Sequence, residues 1–257
     1  MKYLRYLFLS LFIISSFYIV EKTASFHSNT DPLIKAIIKY SENNDSQSID
    51  AKIDSAYITP GMYGKRVNKI KSLMKMKSDK VFNSLFLVMD DIKPKISLED
   101  NKDKIITRAN SNKKGVSLII ENDETNIITY LISNKIKASL LVNEDSVNQH
   151  SFLEQINNDF INYNKVEKLL NKINNNKNIC IISRNNKDFC KRKGKYLIEP
   201  TYVLNSTNLI TIKNNLASGD IILIKDSVLI DDLAYLINYI KSKDLNILYL
   251  SELISEK

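Results

Sequence analysis

The sequence predicts an α/β protein built on a parallel sheet, behind a smaller α+β segment and an apolar N-terminal run. Three observations carry this. From residue 113 onward, short apolar runs alternate with helix-patterned stretches. The runs at 116–121, 138–142 and 220–225 are rich in branched apolar side chains, unbroken at 118–120, 140–142 and 221–224, as strands buried on both faces are. An apolar fraction of 44% over 257 residues is enough for a packed core and excludes wholesale disorder.

Taken in order, Lys2 and Arg5 precede an apolar run at 6–20. That pattern fits a signal-anchor or a cleaved signal peptide. The cleavage site at Thr23-Ala24-Ser25 is poorly formed, which favours the anchor. The positive residues place the N-terminus in the cytoplasm and the rest of the chain outside, at the cell membrane. The expected division is 1–24 for the signal or anchor, 25–110 for a juxtamembrane linker and small α+β segment, and 111–257 for the main domain. Within the middle segment, 33–40 has helical spacing and 41–48 reads as linker. Thr59-Pro60-Gly61-Met62-Tyr63-Gly64 suits a tight turn. Residues 67–77 read as a basic helix, with Met74 and Met76 as packing residues, and 86–89 as a buried strand. In the main domain, 125–134, 163–173, 208–216 and 229–242 read as helices. Strands are expected also at 178–183, 196–198 and 247–250, with 251–256 as a closing helical turn. Gly219 fits a helix C-terminal cap and Asp226 a helix N-terminal cap, with Asp231 and Asp232 near the helix's positive end.

Composition excludes several functions. The net charge of +8 is spread along the chain, which suits contact with anionic lipid or wall polymer. No basic stripe or aromatic-basic motif supports nucleic-acid binding. Cys180 and Cys190 either pair in an oxidising compartment or remain two buried thiols; without a second pair they make a poor zinc site. The five glycines are scattered, so no phosphate loop forms. No Gly-x-Ser-x-Gly elbow occurs.

Two segments carry a family resemblance. The first is Lys113-Lys114-Gly115-Val116-Ser117-Leu118-Ile119-Ile120-Glu121-Asn122-Asp123, followed by Ile136-Lys137-Ala138-Ser139-Leu140-Leu141-Val142. The second is Ser218-Gly219-Asp220-Ile221-Ile222-Leu223-Ile224-Lys225-Asp226, followed by Tyr239-Ile240-Lys241-Ser242-Lys243 and Leu248-Tyr249-Leu250-Ser251-Glu252-Leu253. Together they resemble the opening and closing βα units of the polysaccharide deacetylase (NodB homology) family. The upstream stretch Ile92-Lys93-Pro94-Lys95-Ile96-Ser97 and the Pro-Gly turn before it are similar to leaders found ahead of such domains. The resemblance implies an incomplete or deformed (β/α) barrel. About 145 residues is tight for it, so an element is expected to be missing between Val142 and Cys180, leaving the barrel open.

The family's reaction needs an Asp-Asp pair ending the first strand, a His-x-x-x-His turn for metal, an Arg-x-Pro segment and a late acid histidine. At the matching positions this chain has Glu121 for the base, Asn122 for the metal carboxylate and Asp123 for a turn glycine. Lys225 stands for the acid histidine, followed by Asp226. Arg184 is the nearest remnant of Arg-x-Pro, without the proline. The family mechanism uses three histidines, and the chain has two, His27 and His150. His27 lies outside the main domain. A two-histidine metal site within that domain is therefore excluded, and no cofactor is expected.

Glu121 and Lys225 end different strands and can face each other. The pair reads either as a structural salt bridge filling the vacated pocket, which is favoured, or as a carbohydrate-contacting or proton-transfer couple. Glu121, Asn122, Asp123, Lys225, Asp226 and Arg184 are the candidate binding residues, with no catalytic residue assigned. Tyr196, Tyr202, Tyr235 and Tyr239 could stack on sugars, although Tyr235 and Tyr239 read better as core or rim. The expectation is a catalytically inactive, membrane-anchored envelope module that binds glycan or an envelope protein. The alternative is a divergent peptidoglycan or chitooligosaccharide N-deacetylase with a rebuilt site.

Overall fold

A computed structural model describes residues 15–16, 31–121, 125–147, 152–173, 175–183 and 185–257. Most of the apolar run at 6–20 lies outside them. No described helix is long and apolar enough to cross a membrane. The chain divides into two compact units, one of 1–48 with 63–93 and one of 49–62 with 94–257.

In the first unit, helix α1 (Pro32–Asn44) starts where the Asp31 carboxylate accepts the Leu33 amide proton and Pro32 fixes the first turn. It runs through the first residues of the expected linker, because Ser41 turns inward on the same face as Leu33 and Ile37. Strands β3 (Gly64–Val67) and β4 (Met89–Ile92) pair antiparallel. Between them, α2 (Lys69–Met76) is capped by Asn68, which accepts from the Lys71 amide. Leu33, Ile37, Val67 and Met76 form the core. The expected buried strand at 86–89 is absent. A 3-10 turn, Ser84–Phe86, stands there instead, with Phe86 and Met89 exposed. Met76 is packed as expected, whereas Met74 is exposed.

The second unit holds β1 (Lys52–Asp54), β2 (Tyr57–Thr59), β5 (Ile105–Ile106), β6 (Gly115–Ile120), α3 (Thr125–Ser133), β7 (Ser139–Val142), β8 (Glu154–Asn157) and α4 (Tyr163–Lys172). There follow β9 (Ile179–Ile181), α5 (Lys187–Arg192), β10 (Tyr196–Ile198), β11 (Tyr202–Leu204), α6 (Leu209–Asn215), β12 (Ile221–Ile224), α7 (Ile230–Ser242), β13 (Asn246–Ile247) and α8 (Leu250–Ile254). One sheet runs β11-β12-β6-β7-β8, all parallel, with β13 beside the start of β6. The other runs β1-β2-β5-β10-β9, parallel apart from β1 against β2.

Strand periodicity sorts the core into two layers. Leu118, Ile120, Leu140, Val142, Ile222 and Ile224 face outward under Ile128, Leu131, Val166, Leu170, Leu233, Leu236 and Ile240 of the helices. The alternate residues Ile119, Leu141, Ile156, Ile221 and Leu223 face inward, against Ile58, Ile106, Ile179 and Ile198 of the other sheet. Leu250, Leu253 and Ile254 of α8 join this inner layer. The result is the deformed barrel that the sequence predicts.

Several expectations change here. Between Val142 and Cys180, where the sequence predicts a missing element, the described residues hold β8 and α4. The β8 sequence Glu-Gln-Ile-Asn hides the strand, yet all four residues are buried. The Ser139 hydroxyl donates to Glu154 Oε2 at 2.6 Å, and the Asn157 amide donates to the Tyr163 carbonyl at 3.0 Å. The barrel wall also takes in the upstream strand β5, and three residues past its end the Ala109 amide donates to Gly219 O at 2.8 Å. Gly219 is therefore no helix cap. It has φ +94°, and a Cβ there would stand 2.3 Å from Ala109 O. Asp226 does not cap α7 either; the capping position is Leu229, without a side-chain bond, while Asp231 and Asp232 lie in the first turn. Cys180 of β9 and Cys190 of α5 are joined in a disulfide, both fully buried.

Candidate functional site

In parallel α/β folds, side chains at the carboxyl ends of strands point into the space above the sheet. Glu121 follows β6 and Lys225 follows β12, and both continue the inward-facing series of Ile119 and Leu223. The ladder extends past the strand ends. The Glu121 amide donates to Ile224 O at 3.2 Å and the Lys225 amide to Leu204 O at 3.1 Å. With Ile224 paired to Ile120, the next two residues become cross-strand neighbours. The Lys225 ammonium donates directly to Glu121 Oε1. Both side chains are about one-third exposed, so the pair is worth only ~0.2–1 kcal/mol to folding.

The pair is the part of the expected site that the structure brings together. Asn122, Asp123 and Arg184 lie outside the described residues, as do His27 and His150. Asp226 directly follows Lys225 on the loop that leads to α7. Tyr235 and Tyr239 share one face of α7, where Lys213 of α6 lies 5.0 Å from each ring centroid. Tyr235 is exposed and Tyr239 half-buried, which makes them rim rather than core.

The family chemistry implied by the sequence requires a divalent metal. Among the described residues, those at the strand ends do not fit one. The Glu121 carboxylate at the first strand end is engaged by an ammonium, and a dication beside Lys225 would be repelled. Among the described residues, no group of three or more His, Cys, Asp or Glu comes together in a way that could hold a metal ion.

Sequence reasoning missed the groups that shape the strand-end loops. After β9, Asn186 Oδ1 accepts from the Ser183 amide at 2.7 Å, while its amide donates to Ile181 O at 3.1 Å. After β11, Asn208 repeats this with the Asn205 amide at 3.0 Å and Val203 O at 2.7 Å. After β7, Asn143 Oδ1 accepts from the Asp145 and Ser146 amides at 3.0 and 3.1 Å. After β8, Asp159 Oδ1 accepts from the Ile161 and Asn162 amides at 3.0 and 2.7 Å, which holds its carboxyl below the usual aspartate range. These side chains are turned onto the backbone and fix the turns that follow these four strands. The signal is an Asn or Asp just past each apolar run. It is faint in a chain so rich in asparagine.

No family model matches the sequence, and no curated protein matches it. Among solved structures, the fold is similar to that of BA3943, a CE4 family pseudoenzyme from Bacillus anthracis. The TM-score is 0.60 with 19% identity, over 87% of this chain and 95% of that one. A BA3943 mutant with restored enzymatic activity gives 0.59 and 20%, over 87% of this chain and 98% of that chain. At this level of identity the likeness is one of fold, and it extends well beyond the two segments that first suggested it. The chain has the CE4 polysaccharide-deacetylase-like fold, in company with a pseudoenzyme of that family.

Proposed function

We propose that this chain is a catalytically inactive, membrane-anchored member of the polysaccharide deacetylase family, and that the carboxyl end of its barrel binds cell-envelope glycan. The observation that carries this reading is the Lys225–Glu121 pair. It stands at the positions that resemble the family's acid and base, and each group neutralises the other. A salt-bridged carboxylate with both partners partly open to water offers a donor and an acceptor to sugar hydroxyls. It offers no carboxylate free to hold a metal ion. The similar fold of a CE4 family pseudoenzyme supports the same view. Anchoring rests on the apolar run at 6–20 behind Lys2 and Arg5.

The test is co-sedimentation of the full chain, in detergent, with purified cell-wall sacculi at low and high salt. Binding that survives high salt and falls at least tenfold in Glu121→Ala/Lys225→Ala supports the strand-end site. Loss of all binding with salt would reduce it to the net charge.

The rival reading, a divergent N-deacetylase, draws on the related mutant with restored activity. Acetate release from chitooligosaccharide or peptidoglycan, abolished by Glu121→Ala, would favour it.

A further inference from the structure

Residues 69–89 of the first unit carry apolar side chains that its core does not use. On α2, Ser72, Leu73 and Met76 turn inward. Ile70 (69% exposed) and Met74 (70%) lie one turn apart on the outer face. The following segment packs Phe82 and Leu87 against the core and leaves Val81 (66%) and Leu85 (87%) outside. The 3-10 turn at Ser84–Phe86 lies beside α2, which sets Leu85 near the helix. Basic residues interleave with them: Lys69, Lys71, Lys75, Lys77 and Lys80, against Asp79 within the same stretch. Lys71 also lies 3.9 Å from Asp90, an exposed pair that water and salt screen.

We infer that this face docks on an anionic lipid surface, with Ile70, Met74, Val81 and Leu85 in the headgroup–acyl boundary and the lysines at phosphate level. Two arguments select lipid over a protein partner. Lysine is depleted at protein interfaces, where aromatic residues and arginine supply the anchors. Long lysine stems beside flexible aliphatic side chains are what an interfacial helix presents to anionic lipid. Charge complementarity then sets the occupant, at a gain of about fivefold in binding for each lysine brought to the surface. A further support rests on the anchoring reading: the chain from Val20 to Pro32 can hold this unit within about 40 Å of the bilayer.

The chain contains no tryptophan, so Leu85→Trp introduces a sole indole reporter. The full chain carrying it is added to phosphatidylcholine vesicles with or without phosphatidylglycerol. With phosphatidylglycerol, its emission shifts to the blue and is quenched by lipids brominated on the acyl chain. Raised salt reverses this, and Lys75→Gln lowers the docked-to-undocked ratio by about fivefold. Ile161→Trp, an equally exposed position in the second unit, stays unquenched. An unshifted Leu85→Trp in anionic vesicles overturns the inference, as does equal quenching in phosphatidylcholine alone or at Ile161→Trp. A blue shift without lipid as protein concentration rises also overturns it, since a second copy would then cover the face. Flotation of the chain with phosphatidylcholine vesicles reads the anchor separately, so failure of either reading is visible by itself.

Discussion

Lys225 and Glu121 meet because parallel register places the residues after β12 and β6 side by side, not because the pair adds much stability. Its partial exposure gives a prediction at the level of single residues. Glu121→Ala and Lys225→Ala should each shift unfolding free energy by no more than about 1 kcal/mol, measured by urea denaturation. Glycan binding by the same variants should fall far more than that. A large loss of stability would make the pair structural. Glu256 is a contrasting case. It is almost fully buried, and its Oε1 accepts the amides of Gly61 and Leu98, each at 2.9 Å. Glu256→Ala leaves two buried donors unpartnered and should cost about 2–5 kcal/mol by the same measurement.

Among the elements, the βα turns at the barrel's carboxyl end depend on short side-chain hooks. Asp159 is the one that titrates. Its folded-state pKa lies below the ordinary value of 3.8 because the Asn162, Ile161 and Glu144 amides favour the charged form. Its contribution is therefore fully present above that value and is lost as pH falls through the folded-state pKa. Thermal unfolding of Asp159→Ala should show a deficit relative to the parent chain at pH 6 that disappears at the acid end. A deficit that persists there would mean that the neutral carboxyl caps equally well. The disulfide from β9 to α5 closes a short loop worth about 3 kcal/mol in the chain-entropy account, and it ties α5 to the strand whose end carries Ser183.

For the molecule as a whole, the long apolar runs were legible because a strand buried on both faces can contain little else. Those at β6, β7 and β12 are found within a residue or two of their expected limits. β8 was not legible, since its buried side chains are mostly polar and Glu154 is held by partners such as Ser139 and the Ser251 amide at the start of α8, which no local pattern shows. β11 and α5 are too short for a periodic signal. At the site, the facing of Glu121 and Lys225 was legible because each ends an apolar run of inner-layer parity. The Asn186 and Asn208 hooks were not, because nothing local separates them from the other asparagines. The barrel frame and its end pair thus stand together, and in the proposed reading that pair takes the place of the family's metal chemistry.

Calorimetric titration of the full chain with zinc tests that claim most directly. The account predicts no stoichiometric uptake and no acetate release from acetylated glycan in the presence of zinc. One equivalent bound tightly, with loss of binding in Glu121→Ala, would contradict it and restore the chain to the hydrolases.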